Sequence, residues 1–145
     1  MTHEYFMKQA IEQAKIAFER GEVPIGAVIV CNEKIIARSH NLTQTLNDPT
    51  AHAEMQAITA ATNFIGGKYL NQCTLYVTVE PCPMCAGALY WSHIAEIIFG
   101  TGDEKRGYRK ISSNILSEKT KVTGGILQSE CENLMKSFFD KLRDN

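Results

Sequence analysis

Two short segments carry side chains whose types and spacing suit metal chemistry: His52-Ala53-Glu54 and Pro81-Cys82-Pro83-Met84-Cys85. Cysteines three apart on a helix share a face, so both sulfurs can meet one ion. At a helix N-terminus the positive end of the dipole also favours thiolate over thiol. Zinc accepts a mixed histidine and cysteine set in tetrahedral geometry. A structural zinc takes four protein ligands, but no second close Cys or His pair exists here: Cys31, Cys73 and Cys131 are isolated, as are His3, His40 and His93. One histidine with two cysteines leaves the fourth position for water, the catalytic arrangement. Two thiolates weaken the ion as a Lewis acid, which makes a nearby base useful, and Glu54 lies two residues from His52. The expected site is therefore one zinc per chain on His52, Cys82 and Cys85, with Glu54 shuttling protons. A lone Cys-x-x-Cys also suits a redox pair, and a lone His-x-Glu is an ordinary polar helix start. Their joint occurrence, each opening a helix, favours the metal. Cys31, Cys73 and Cys131 are expected as small core residues, and Met84, Tyr90 and Trp91 as packing.

The elements that must position these groups follow from periodicity. Met7, Ala10, Ile11, Ala14 and Phe18 fall at helical spacing, with Gly21 as a natural stop. Ile25 to Cys31 is β-rich, and Asn32-Glu33 can turn it into Lys34 to Arg38 as a hairpin. Asp48-Pro49 reads as an N-cap and first helical residue, opening a helix to about Thr62. Leu75, Val77 and Val79 alternate as a strand, and Pro83 to Ser92 reads as a helix buried on every side. Ile97 to Phe99 is a short strand, and Val122 to Leu127 another, weakened by Gly124-Gly125. Ser129 and Glu132 form a capping box for a last helix with Cys131, Leu134, Met135, Phe138 and Leu142 on one face. Strands alternating with helices imply a layered α/β sheet of about five strands with helices on both faces.

With 145 residues, no repeat and no linker, the chain is expected to be one domain, 1–145. The longest apolar run, Met84 to Trp91, is too short for a membrane span. The start Met1-Thr2-His3-Glu4 has no secretory character, and five cysteines without such a signal point to a reducing, cytoplasmic compartment. A net charge of −1 argues against non-specific coating of nucleic acid but permits a local basic patch. Such a patch exists. Between Lys105 and Lys121 lie Lys105, Arg106, Arg109, Lys110, Lys119 and Lys121, with Glu118 the one acid.

The pattern His-x-Glu…Pro-Cys-x-x-Cys is that of zinc nucleobase deaminases. The resemblance extends over nearly the whole chain. It includes Glu22-Val23-Pro24-Ile25-Gly26-Ala27-Val28, Asn41, Asn47 to Glu54, Thr74 to Cys82, Cys85-Ala86-Gly87-Ala88, Phe99-Gly100, and Gly124 to Leu127 before a helix with Phe138-Phe139. These segments resemble the bacterial tRNA-specific adenosine deaminases of the cytidine/deoxycytidylate deaminase superfamily. The resemblance implies a three-layer α/β/α sandwich of the cytidine-deaminase-like fold, with a mixed five-stranded sheet, and a homodimer. It implies hydrolysis of adenosine to inosine at the wobble position of a tRNA anticodon, principally that of an arginine tRNA. His52, Cys82 and Cys85 would hold zinc and Glu54 relay protons. Asn41 would contact the target nucleotide, the Ala53 amide would face the developing oxygen, and Val23, Pro24 and Ile25 would line the pocket. Asp103 lies where the family approaches the nucleotide backbone. Lys105, Arg106, Arg109 and Lys110 would then meet phosphates, while Phe138 and Phe139 could stack bases, since aromatics and cations suit a splayed single strand.

Pro83, Met84 and the Tyr90-Trp91 pair also resemble guanine deaminases of the same superfamily. A small-molecule guanine or cytosine-type deaminase is thus the second reading. A structural zinc or RNA-binding module is the third, and Glu54 speaks against it, because a structural site has no use for a carboxylate beside an open metal position.

Overall fold

Apolar residues at helical spacing build α1 (His3–Glu19), whose N-cap Thr2 accepts the Tyr5 N–H at 3.1 Å. The chain in the computed structural model is described over residues 1–144. Strands β1 (Gly26–Cys31) and β2 (Lys34–His40) form the expected hairpin, with Asn32 and Glu33 at φ of 52° and 62° in the tight turn. There follow α2 (Ala53–Ile65), β3 (Cys73–Val79), α3 (Pro83–Trp91), β4 (Glu96–Thr101), the short α4 (Tyr108–Ile111), β5 (Lys121–Thr123) and α5 (Gln128–Arg143).

The sheet runs β2-β1-β3-β4-β5, antiparallel from β2 through β3 and parallel from β3 through β5. Alternation along β1 separates the two cores. Ala27 and Ile29 join Ala53, Ala57, Leu75, Val77, Ala86, Leu89 and Ile97 under α2 and α3. Val28 and Val30 join Phe6, Met7, Ile11, Tyr76, Ile98 and Cys131 under α1 and α5. Each fully buried aliphatic side chain in these layers contributes about 1.5–3 kcal/mol. The result is the three-layer α/β/α sandwich with a mixed five-stranded sheet. Cys73 and Cys131 are core residues, as expected, whereas Cys31 is only partly buried.

Strand directions bring four connections to one sheet edge. Gly26 pairs with His40, Ala27 with Val77 and Val79 with Thr101. The start of β1 therefore lies beside the ends of β2, β3 and β4, and residues 23–25, 41, 80–82 and 102 onward meet there.

Four local expectations are corrected. Asp48 does not cap α2. Its Oδ1 accepts the Thr50 N–H and hydroxyl at 2.8 and 2.7 Å, closing a turn of its own, and the helix begins at Ala53 with His52 as N-cap. Ser129 does not open α5 as a capping box, because Leu127, in the left-handed region at φ 53°, is the N-cap and the helix has already begun at Gln128. The last strand stops at Thr123, before the two glycines, and does not reach Leu127. Helix α3 is not enclosed: Cys85, Ala86 and Leu89 are buried, but Tyr90 and Trp91 at its end are 45% and 75% exposed. Among the described residues, no helix is long and apolar enough to cross a membrane.

Candidate active site

Two helix N-termini meet at the sheet edge, and each contributes to one cluster. His52 is the N-cap of α2 and Cys82 the N-cap of α3, where Pro83 starts the helix at no cost because its missing N–H would have no partner there. His52 Nδ1 lies 3.6 Å from Cys82 Sγ and 3.5 Å from Cys85 Sγ. The three ligand atoms all fall within 4.8 Å of one another, and they form the one such histidine, cysteine and carboxylate group found among the described residues. A tetrahedral ion with bonds of about 2.0–2.1 Å to nitrogen and 2.3 Å to sulfur would separate nitrogen from sulfur by about 3.6 Å. The side chains already stand at that spacing, so the donor set fits a metal ion, with Nδ1 as the histidine ligand atom.

Electrostatics supports the same conclusion. A hydrogen bond from the Cys85 thiol, aided by His52 and the Cys85 N–H against the cost of burial, lowers the Cys82 thiol to about 4. The Cys85 thiol is pushed far up, first by its bond to that thiolate and then by its own burial. His52 is raised, chiefly by its bond to Cys82 and despite burial. The two sulfurs oppose each other's ionisation, and a cation between them would favour thiolate on both. Glu54, in the first turn of α2, is 3% exposed, and burial pushes its carboxyl up to about 7. A carboxyl poised there can both take and give a proton near neutral pH.

Hydrogen bonds hold the surrounding walls in register. Ser39 Oγ donates to the Ala53 carbonyl at 2.7 Å, tying β2 to the start of α2. The Leu42 N–H donates to the Ala51 carbonyl at 2.9 Å and the Asn41 N–H to the Ile25 carbonyl at 3.1 Å. Asn41 and Ile25 are therefore neighbours, and the segment carrying Val23 and Pro24 runs into them. Ala53 and Asn41 are buried. The Asp103 carboxylate is occupied locally, its Oδ1 accepting the N–H groups of Lys105 and Arg106 at 3.0 and 2.9 Å.

The basic and aromatic residues divide. Lys105, Arg106 and Lys110 line a cavity of about 230 Å³ with Cys82 and Pro83. Arg109 is already engaged: its Nη2 donates to Glu80 Oε1 at 2.9 Å and its guanidinium lies over the Phe99 ring at 5.0 Å. Phe138 is buried against Phe18, which removes it from base stacking. Phe139 is exposed but sits on α5, in the layer opposite α2 and α3, so the structure does not bring it to the cluster.

Sequence reasoning missed two buried carboxylates, Glu22 and Glu80, both inside motif segments. The available signal was an acid beside the apolar start or end of a strand, where burial demands partners. Glu22 accepts the N–H groups of Gln44 and Thr45 at 3.0 and 2.7 Å and the Thr45 hydroxyl at 2.7 Å, fixing the loop after Asn41. Burial alone would raise its pKa, but these bonds outweigh it and hold the carboxyl below its usual value of 4.5. With the folded value below the unfolded one, this contribution to stability is complete above the usual carboxylate range. It is lost as pH falls through the lowered folded value. Glu22→Ala should destabilise the protein by about 1–3 kcal/mol at pH 7, and the deficit should shrink as pH falls through that range, as urea unfolding would show.

A mixed α/β/α sheet carrying a His/Cys/Cys cluster and a buried glutamate at the edge where four loops meet defines a hydrolytic deaminase. The chain belongs to the MafB19-like deaminase family, whose model matches residues 1–143, and to the tRNA-specific adenosine deaminases. It is 47% identical to the tRNA-specific adenosine deaminase of Bacillus subtilis (strain 168) over 97% of this chain and 90% of that protein. A structure from work on A-to-I editing by tRNA:A34 deaminases superposes with a TM-score of 0.84 at 41% identity, over 90% of this chain and 98% of the other. Guanine deaminase from Bacillus subtilis superposes with a TM-score of 0.68 at 39% identity, over 78% and 71%.

Proposed function

We propose that the protein deaminates adenosine to inosine at the wobble position of a tRNA anticodon, principally that of an arginine tRNA. The observation that carries this reading is the His52/Cys82/Cys85 cluster beside buried Glu54, in a chain similar over its length to tRNA:A34 deaminases. One zinc per chain on His52 Nδ1 and the two sulfurs would supply the Lewis acid that makes a water nucleophilic at neutral pH. Glu54 takes the two protons of the attacking water in turn, delivering the first to the purine nitrogen and the second to the departing amino group. The C–O bond forms at the purine carbon that bore the amino group, the C–N bond breaks, and ammonia leaves. The Ala53 amide, in the open first turn of α2, faces the developing oxygen. Val23, Pro24 and Ile25 close the pocket, Asn41 holds the nucleotide, and Asp103 borders the strand's path.

The target base must leave its stack to enter, which is cheapest in a single-stranded loop. Lys105, Arg106 and Lys110, beside Cys82, are the cations placed to meet the flanking phosphates. Replacing any one with Met should flatten the log–log salt dependence of RNA affinity by up to about 0.7, with zinc content unchanged. The exposed Tyr90 and Trp91 at the end of α3 suit burial in a homodimer, which light scattering at micromolar protein should report as twice the chain mass. A tRNA substrate and reduced thiol ligands both fit the cytoplasm. The test of the reading offers the protein a tRNA with a wobble adenosine, free guanine and cytidine in parallel and measures ammonia. Release from the tRNA is expected; efficient release from guanine with the tRNA unreacted would overturn it in favour of a guanine deaminase.

A further inference from the structure

Glu80 is a buried carboxylate that the deamination chemistry leaves unused, two residues before the cluster sulfur of Cys82. Its oxygens serve one loop. Oε1 accepts the Asp103 N–H at 3.1 Å and Arg109 Nη2 at 2.9 Å, and Oε2 accepts the Arg109 N–H at 3.2 Å. The segment from Asp103 to Arg109 is thereby pinned at both ends on a single side chain. Backbone bonds run alongside, from the Glu80 N–H to the Thr101 carbonyl at 2.8 Å and from the Tyr108 N–H to the Pro81 carbonyl at 2.9 Å. Gly107 passes so close to the carboxylate that any side chain there would strike it. Arg109 closes the arrangement from outside, half exposed and resting on Phe99. Lys105 and Arg106 stand between the two pins and Lys110 follows the second, all three on the cavity beside Cys82 and Pro83.

We propose that Glu80 and Arg109 are a positioning pair that fixes the basic loop against the Cys82 turn and so sets affinity for the RNA strand rather than the chemical step. The inference rests on the RNA reading above. Bonds to an ionised acceptor are the strong ones, and three from one loop hold it in a single place before substrate arrives. A loop released from them must be ordered during binding, and that ordering entropy appears as lost affinity. Glu80→Gln keeps the volume but turns one acceptor oxygen into an NH2 group facing a donor. Arg109→Met removes the outer donor at a half-exposed position and leaves Glu80 its two backbone donors, the Asp103 and Arg109 N–H groups.

Steady-state kinetics on an anticodon stem-loop with a wobble adenosine, with zinc per chain measured in parallel, tests the pair. Both variants should raise KM about tenfold while kcat falls less than about threefold, the signature of lost binding rather than lost transition-state stabilisation. Zinc per chain should stay at the wild-type value. Arg109→Lys, which keeps the charge and one donor, should recover most of the KM. The double variant should be no worse than the worse single, because both break one device. Wild-type KM in Arg109→Met, or a fall in kcat and zinc content that accompanies the rise in KM, would overturn the proposal. In the second case Glu80 serves the metal turn and not the loop. A wild-type protein inactive on the stem-loop would overturn the RNA reading itself, a result distinct from variants that match an active wild type.

Discussion

Glu54→Ala is expected to retain the fold and the metal while deamination falls by roughly 10²–10⁴-fold, the usual scale of general acid–base catalysis. The side chain is buried in the first turn of α2 but is not one of the three atoms that converge on the metal position. Burial also opposes its ionised form, so removing the carboxyl relieves a desolvation cost that offsets part of the packing lost. What is lost is the proton path: water must lose a proton as it attacks, and the ring nitrogen and amino group must gain them. Elemental analysis should return the wild-type metal content, and ammonia release should give the rate. A rate near wild type would assign the proton relay to another group.

Cys85→Ser should act differently, removing activity and metal together. Cys85 is buried at 0% exposure, and its sulfur lies 3.5 Å from His52 Nδ1. A hydroxyl is a poor substitute for a thiolate toward zinc, and a single remaining thiolate neutralises only half of the ion's charge. Metal content should drop well below one per chain, with deamination at background. A buried hydroxyl without a good partner costs about 1–3 kcal/mol, and in a domain of this size each kcal/mol lowers Tm by about 2–4 °C. Calorimetry with elemental analysis checks both. Wild-type metal content in Cys85→Ser, or a Cys82–Cys85 disulfide in the active protein, would contradict the metal assignment.

The cluster was legible in the sequence because its logic is local. Two cysteines at i and i+3 after a proline, and a histidine two before a glutamate, carry ligand type, spacing and helix-start position in a few residues each. The sandwich was legible too, since β1 is a β-rich apolar run, Leu75, Val77 and Val79 alternate along β3, and α1 has a clear apolar face. What the sequence hid lies in long-range partners. Nothing near Glu80 shows that Asp103 and Arg109 reach back to it, and so Arg109 was expected to meet phosphate. Phe138 was legible as a face residue of α5, but which layer α5 joins depends on the sheet order, and Phe18 turned out to be its partner. The starts of α2 and α5 were misplaced for another reason: Asp48 and Leu127 settle competing local geometries, a side-chain turn and a left-handed residue, that helix-start patterns do not weigh.

The central claim is that this site hydrolyses one adenosine in an anticodon loop. It is tested most directly by incubating the protein with an anticodon stem-loop that carries adenosine at the wobble position and at other loop positions, then sequencing the product by mass. The account predicts a single adenosine-to-inosine change, at the wobble position, one ammonia per inosine, and conversion slowed roughly 10²–10⁴-fold with Glu54→Ala. An unchanged loop under conditions where the same preparation converts free guanine would contradict it.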